Sequence, residues 1–226
     1  MSQRIGAALA CLLCVGSGCS VDVHDGMGPR VPIPNVSGRV TRVEQPVDEV
    51  DVELRTLIDG EVVDSVSTAS DGTFEFANVA IGDWEVKASG EDPSDFDSVT
   101  REFHLARVDT LADLAPLDLF AYGAVPTAPP EGTAMPPPNP FQPIIFRWTA
   151  PAHEYDWGRV YVYEANGDAI WFSTRTDADS VLWNGLGSEG EYEGRLVSAG
   201  EYMWRLKFGF PDGQEGRTAY QTLELE

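Results

Sequence analysis

The sequence predicts an all-β chain, and three observations carry that expectation. Apolar residues alternate with polar ones at a period of two, as in Val50, Val52 and Leu54, then Phe74 and Phe76, and later Tyr202, Trp204, Leu206 and Phe208. Turn dipeptides separate these runs at Asp59-Gly60, Asp71-Gly72, Asn166-Gly167 and Asp212-Gly213, where positive φ favours Gly and Asn. No run of eleven or more residues keeps a 3.6-residue period. The expected layout is two β-sandwich domains, 35–122 and 141–226, joined by a proline-rich linker, 123–140, and preceded by a leader, 1–18, and a tether, 19–34.

The leader comes first. Arg4 and the amino terminus give it positive charge, and Ile5 to Val15 form an apolar stretch of about eleven residues, short of the roughly 20 needed to span a bilayer. Gly16-Ser17-Gly18-Cys19 follows. This segment resembles a bacterial lipoprotein signal, with Gly16 where the family usually has Leu. The resemblance implies cleavage before Cys19, lipidation of Cys19, and a membrane partner held through that anchor. Ser20 in place of Asp leans toward the outer membrane within the cell envelope. The rival reading is an ordinary signal peptidase site that leaves Cys19 as a free thiol. Cys11 and Cys14 fall inside the leader, so Cys19 would be the one cysteine of the mature chain. An unpaired thiol is unusual in an oxidising compartment, whereas a thioether to lipid accounts for it.

Charge narrows the partners. The chain carries 15 basic and 37 acidic residues, a formal charge of −22; losing Arg4 with the leader leaves 14 against 37, or −23. Such a balance repels a phosphate backbone, so nucleic acid is excluded as an expected partner. The acids are spread along the chain, as in a solvated surface.

The first expected domain opens with Val36-Ser37-Gly38-Arg39-Val40. It continues through Thr68-Ala69-Ser70-Asp71-Gly72-Thr73-Phe74-Glu75-Phe76 and Asn78-Val79-Ala80-Ile81-Gly82-Asp83-Trp84-Glu85-Val86. This order resembles the carboxypeptidase regulatory-like domain, a transthyretin-like β-sandwich, with Ile81 for the common Pro and Trp84 for the common Tyr. The resemblance implies a folding or interaction module without a catalytic residue. Phe74, Phe76 and an inward Trp84 are its expected core. Leu111, Leu114, Leu117 and Leu119 hint at a helix, but Pro116 breaks it, and a terminal strand is expected there.

From Ala124 to Pro143 the chain holds eight prolines. Proline fixes φ and lacks a backbone donor, so a stiff extended spacer is expected rather than sheet or helix. Beyond it, strands are expected at Ile144–Trp148, Arg159–Glu164, Ala169–Ser173, Ser180–Trp183, Gly200–Phe208 and Ala219–Leu225. The Tyr202-x-Trp204-Arg205 strand resembles those of immunoglobulin-like or fibronectin type III-like sandwiches, which implies a binding or spacer module.

Chemistry is sparse. His24, His104 and His153 are scattered and share no zinc spacing, so no metal site and no cofactor are expected. Three acidic clusters (Asp48, Glu49 and Asp51; Asp92, Asp95 and Asp97; Asp177 and Asp179) offer the oxygen ligands that suit calcium but lack the EF-hand order and its terminal Glu, and solvated acidic loops are the expectation weighed against it. No serine or cysteine nucleophile motif is present, and no enzymatic activity is expected. Five of the six tryptophans lie after residue 140. Trp148 and Trp204 sit among apolar strand neighbours, while Trp157, Trp171 and Trp183 lie near strand ends. An exposed indole there would stack on a sugar ring or grip a protein, so these three are the candidate ligand-binding residues. The expected partner is an envelope protein or glycan.

Overall fold

A computed structural model describes residues 34–92 and 94–226. The leader, Cys19, His24 and nearly all of the expected tether lie outside the described residues.

Ile33–Glu226 forms one compact unit, and among the described residues it is all-β apart from a single 3-10 turn at Gly190–Tyr192. The strands of the first half are β1 (Pro34–Arg42), β2 (Gln45–Pro46), β3 (Asp51–Thr56), β4 (Val62–Ser67), β5 (Thr73–Ala77), β6 (Gly82–Ser89), β7 (Ser98–Leu105), β8 (Ala112–Asp113) and β9 (Leu117–Asp118). Those of the second half are β10 (Val125–Ala128), β11 (Thr133–Met135), β12 (Ile144–Thr149), β13 (Trp157–Glu164), β14 (Ala169–Phe172), β15 (Ser180–Trp183), β16 (Gly200–Gly209), β17 (Gln214–Arg217) and β18 (Gln221–Leu225).

They assemble into three sheets. A five-stranded sheet centres on β1, which pairs antiparallel with β2 and β5 and parallel with β8 and β9. A three-stranded sheet runs β10-β12-β15. The third has ten strands, with the path β11-β18-β16-β17-β7-β6-β3-β4 and β13 and β14 branching from β16.

The alternation read from sequence decides which residues face inward. Val36, Val40, Val52, Leu54, Phe74 and Phe76 are buried, as are Phe146, Trp148, Tyr202, Trp204, Leu206 and Phe208. Gly38 sits opposite Phe74 in the β1–β5 ladder, and the Phe74 ring lies across it: a Cβ there would come within 2.5 Å of the ring. Any larger residue would push that ring out of the core. Asp71 shapes the hairpin before β5 by accepting the Thr73 amide at 3.1 Å and hydroxyl at 2.6 Å. Trp84 is only half-buried. It packs at the rim of the core, where its Nε1 donates to the Ala80 carbonyl at 2.9 Å, so it is not the deep core residue expected.

Two segments differ from the sequence expectation. Thr110 to Leu119 holds two short strands, β8 and β9, with Pro116 in the gap between them. Residues 123–140 are extended, as their prolines dictate, but they do not form a free spacer. β10 pairs with β12 and β11 with β18. Proline is tolerated because β10 is an edge strand, where Pro126 need not donate outward.

The two halves meet through β17, whose four residues pair with Ser98–Arg101 of β7. Phe96, fully buried, lies over Gly216 of β17 and packs against Phe208 at 6.1 Å and Phe210 at 6.0 Å between ring centroids. Polar contacts close the seam around it. The Gln214 side chain donates to the Asp118 carbonyl at 2.8 Å and accepts the Asp118 amide at 2.7 Å. Arg101 donates to the Asp212 carboxylate at 2.7 Å and to the Asp212 and Pro116 carbonyls. Arg42 holds Asp95, whose side chain is fully buried, through two hydrogen bonds.

Candidate functional site

The three candidate tryptophans do not form a shared face. In β15 the alternation turns Leu182 outward and Trp183 inward. Trp183 is fully buried, and its Nε1 donates to the Leu186 carbonyl at 3.0 Å. Trp171, half-buried on β14, stacks against Trp183 at 5.7 Å and Phe146 at 6.1 Å. Together these rings close the core between the two sheets of the second half. Trp183 is therefore a core residue and cannot stack on a sugar. Trp157 stands apart from this pair on the outer face of the ten-stranded sheet, with the Arg175 guanidinium 4.2 Å from its ring centre.

The other titratable candidates serve the fold. His104 Nδ1 lies 2.6 Å from Asp83 in a cross-strand pair open to solvent on β6 and β7. No hydroxyl joins that pair in a hydrogen bond among the described residues. His153 is elsewhere, stacked on Tyr122 at 4.9 Å. It lines a groove of about 470 Å³ at the seam between the halves, with Asp118, Tyr122, Phe210, Asp212 and Gln214. Burial raises the Tyr122 phenol above its usual range, and its hydrogen bond to Asp118, 2.6 Å long, adds to the shift.

The acidic loops are tied into turns. Asp92 accepts the Ser94 amide at 2.8 Å and hydroxyl at 2.6 Å, and these bonds hold its carboxyl below the usual range. Asp59 and Asp71 are lowered in the same way by threonine hydroxyls. Asp95 faces Arg42. Among the described residues, no three His, Cys, Asp or Glu side chains converge to hold a metal ion.

What the fold does gather is cationic. The outer face of β13, β16 and β17 carries Arg159, Arg205, Lys207 and Arg217, with Arg175 leaning over Trp157 from the loop after β14. That is five of the chain's 15 basic residues on one face of an acidic protein. The ladders place Tyr161 opposite Arg205 and Phe172, and Arg159 opposite Lys207, which in turn faces Arg217. Aromatic rings support the guanidinium groups: Arg159 lies 4.5 Å from the Phe172 ring centre, and Arg205 lies 4.4 Å from Tyr220 and 5.4 Å from Tyr163. Tyr163 is raised by burial, with Arg205 pulling in the opposite direction. Lys207 pairs with Glu215, and Arg205 approaches Asp97 at 4.0 Å.

Sequence reasoning passed over these cations. Their signal was a period of two shared by charge and ring: Arg159-x-Tyr161-x-Tyr163 on one strand and Arg205-x-Lys207 on another.

Comparison with known proteins bears on the first half. The family described as "BOS complex subunit NOMO1-like, second beta sandwich domain" matches residues 35–108, about a third of the chain. No curated protein matches. Among solved structures, a DUF3823 family protein from Bacteroides uniformis is 12% identical, with 86% of this chain and 100% of that chain covered and a TM-score of 0.34. The major pilin subunit BcpA of Bacillus cereus is 15% identical, covering 84% of this chain and 68% of that one at a TM-score of 0.35. Fibronectin(III)-like modules of CbhA from Clostridium thermocellum are 12% identical, covering 84% and 89% at a TM-score of 0.29. Likenesses this remote carry no argument about function. The sheets and the family match together make this a β-sandwich protein.

Proposed function

We propose that this chain is a non-enzymatic cell-envelope lipoprotein: Cys19 is lipidated, and the β-sandwich unit holds a binding or scaffolding surface outside the cytoplasm. One observation carries the reading. The β7–β17 ladder runs one sheet through both halves, so the unit is built to keep a surface at a fixed orientation rather than to open and close a cleft. The order of residues 35–86 supports a carboxypeptidase regulatory-like origin for the first half.

The anchor is tested by expressing the full chain in a Gram-negative host with an alkyne fatty acid. The expected result is a labelled protein in the outer-membrane fraction. The Cys19→Ser variant should be unlabelled and absent from that fraction. Wild-type protein that is soluble and unlabelled would contradict the reading.

A further inference from the structure

We propose that the end of the first half at which β1 begins is a membrane-facing end, with three apolar loop tips dipping into a zwitterionic lipid surface. This rests on the reading of Cys19 as lipidated and deepens it by saying which part of the unit meets the bilayer.

The strand order puts three loops at that end. β1 starts there at Pro34, paired with Ala77 at the close of β5. The short β5–β6 loop, residues 78–81, leads to Gly82, which faces Leu105 at the end of β7. Trp84 faces Thr56 at the end of β3. The β3–β4, β5–β6 and β7–β8 loops therefore all open at the end where the chain enters. Each holds an apolar side chain in water: Ile58 is 99% exposed, Ile81 60% and Leu111 58%, with Leu57 and Val108 also exposed. At the other end of the first half, Val43 is the one exposed large apolar side chain among the described residues. The second half joins near that other end, through Phe96 and Ser98–Arg101, and leaves the three loops uncovered.

Folding does not call for these side chains. In the β3–β4 turn the Gly60 amide donates to the Thr56 carbonyl at 3.1 Å and the Thr56 amide to the Glu61 carbonyl at 3.0 Å. The Thr56 hydroxyl donates to Asp59. Backbone and Asp59 thus close the turn, while Ile58 stands outside it. In the β7–β8 loop Arg107 donates twice to Asp109, at 2.9 and 2.7 Å, so the charges flanking Val108 offset each other. Apolar groups gathered at one end, with their charged neighbours tied to one another, mark a surface that is covered in use.

The route of the chain says what covers it. Pro34 follows Cys19 by 15 residues, a stretch that spans at most about 54 Å when fully extended. A lipid on Cys19 therefore keeps the bilayer within that distance of the entry point. Such tethering raises the effective concentration of the surface, so a contact too weak to hold the chain alone becomes populated. Asp59 and Glu61 leave the tips acidic, and the chain carries a formal charge of −22, which opposes anionic lipid and favours a zwitterionic surface.

The test uses the full chain, processed and lipidated, in phosphatidylcholine vesicles. With Cys19 a thioether and Cys11 and Cys14 lost with the leader, a maleimide dye reports a single introduced cysteine. Ile58→Cys, Ile81→Cys and, at the opposite end, Ser70→Cys each carry the dye. The Ile58 and Ile81 dyes should shift to the blue on moving from detergent to vesicles. Lipids spin-labelled near the headgroup should quench both about twofold, because apolar groups of peripheral elements sit roughly 5–10 Å into this boundary. The Ser70 dye should do neither. Adding Ile58→Ser and Leu111→Ser to the Ile81→Cys chain should roughly halve the quenching, since interfacial binding scales with buried apolar area. The melting curve should not move, because both side chains are mostly exposed. No quenching at Ile58 and Ile81 overturns the proposal, as does equal quenching at Ser70. A blue shift that appears in detergent and grows with protein concentration also overturns it, in favour of a second copy. Dye uptake by the chain without an introduced cysteine overturns the anchor instead. The dyes are then read on a Cys11→Ser/Cys14→Ser/Cys19→Ser chain mixed with vesicles: quenching at Ile58 upholds the lipid-facing end, and its absence overturns both.

Discussion

Phe96 is the residue on which the seam turns. It comes from the loop before β7, yet its ring is fully buried against Phe208, Phe210 and Gly216 of the other half. Phe96→Ala removes that ring and leaves a cavity, so a loss of about 3–5 kcal/mol is expected in urea unfolding. Tyr122, on the same seam, gives a pH signature. Its phenol ionises less readily in the folded chain than at the ordinary value of 10.0, chiefly because it is buried. Its contribution to stability is therefore complete below pH 10 and is lost as pH rises past 10 toward the folded value, because the unfolded chain sheds the proton first. Thermal melts should fall from about pH 10 upward, and the fall should be shallower in Tyr122→Phe. The tryptophans show what sequence conveys at this scale. Trp148 and Trp204 were legible as core from their apolar neighbours. Trp183 was not, because Val181, Leu182 and Trp183 are all apolar and only the ladder with β12 reveals which side is inside.

At the scale of elements, the regular strands were readable and the joining ones were not. β12, β13, β15 and β16 fall within a few residues of their expected spans, because alternation marks them. β17 reads Gln214-Glu215-Gly216-Arg217, with no apolar member, so nothing in its composition announces a central strand. Its place is fixed by close approach instead. A Cβ on Gly216 would lie 2.5 Å from the Phe96 ring, and Gly216→Ala should cost about 1–3 kcal/mol through overpacking, measurable as a lower midpoint in denaturant with an unchanged slope. Gln214→Ala breaks both hydrogen bonds to the Asp118 backbone, and a loss of about 1–3 kcal/mol is expected by the same assay. The prolines of 123–140 told correctly of extended backbone. They could not tell that β10 and β11 find edges to pair with, since a pairing partner 20 or 90 residues away leaves no local trace.

For the whole molecule, charge and continuity set the behaviour. The acids are spread along the chain, while Arg159, Arg205, Lys207 and Arg217 gather on one face of β13, β16 and β17. The family match to 35–108 covers the first half alone, while the β7–β17 ladder and the Phe96 contacts bind that half to the second. Ile33–Glu226 behaves as one body, holding its cationic face at a fixed orientation. Scanning calorimetry of the purified chain tests this most directly. One transition is predicted, with equal calorimetric and van't Hoff enthalpies, and Phe96→Ala should lower its midpoint by roughly 2–4 °C for each kcal/mol lost without splitting it. Two separate transitions in the wild-type chain would show the halves unfolding independently, so that Ile33–Glu226 is not one cooperative body.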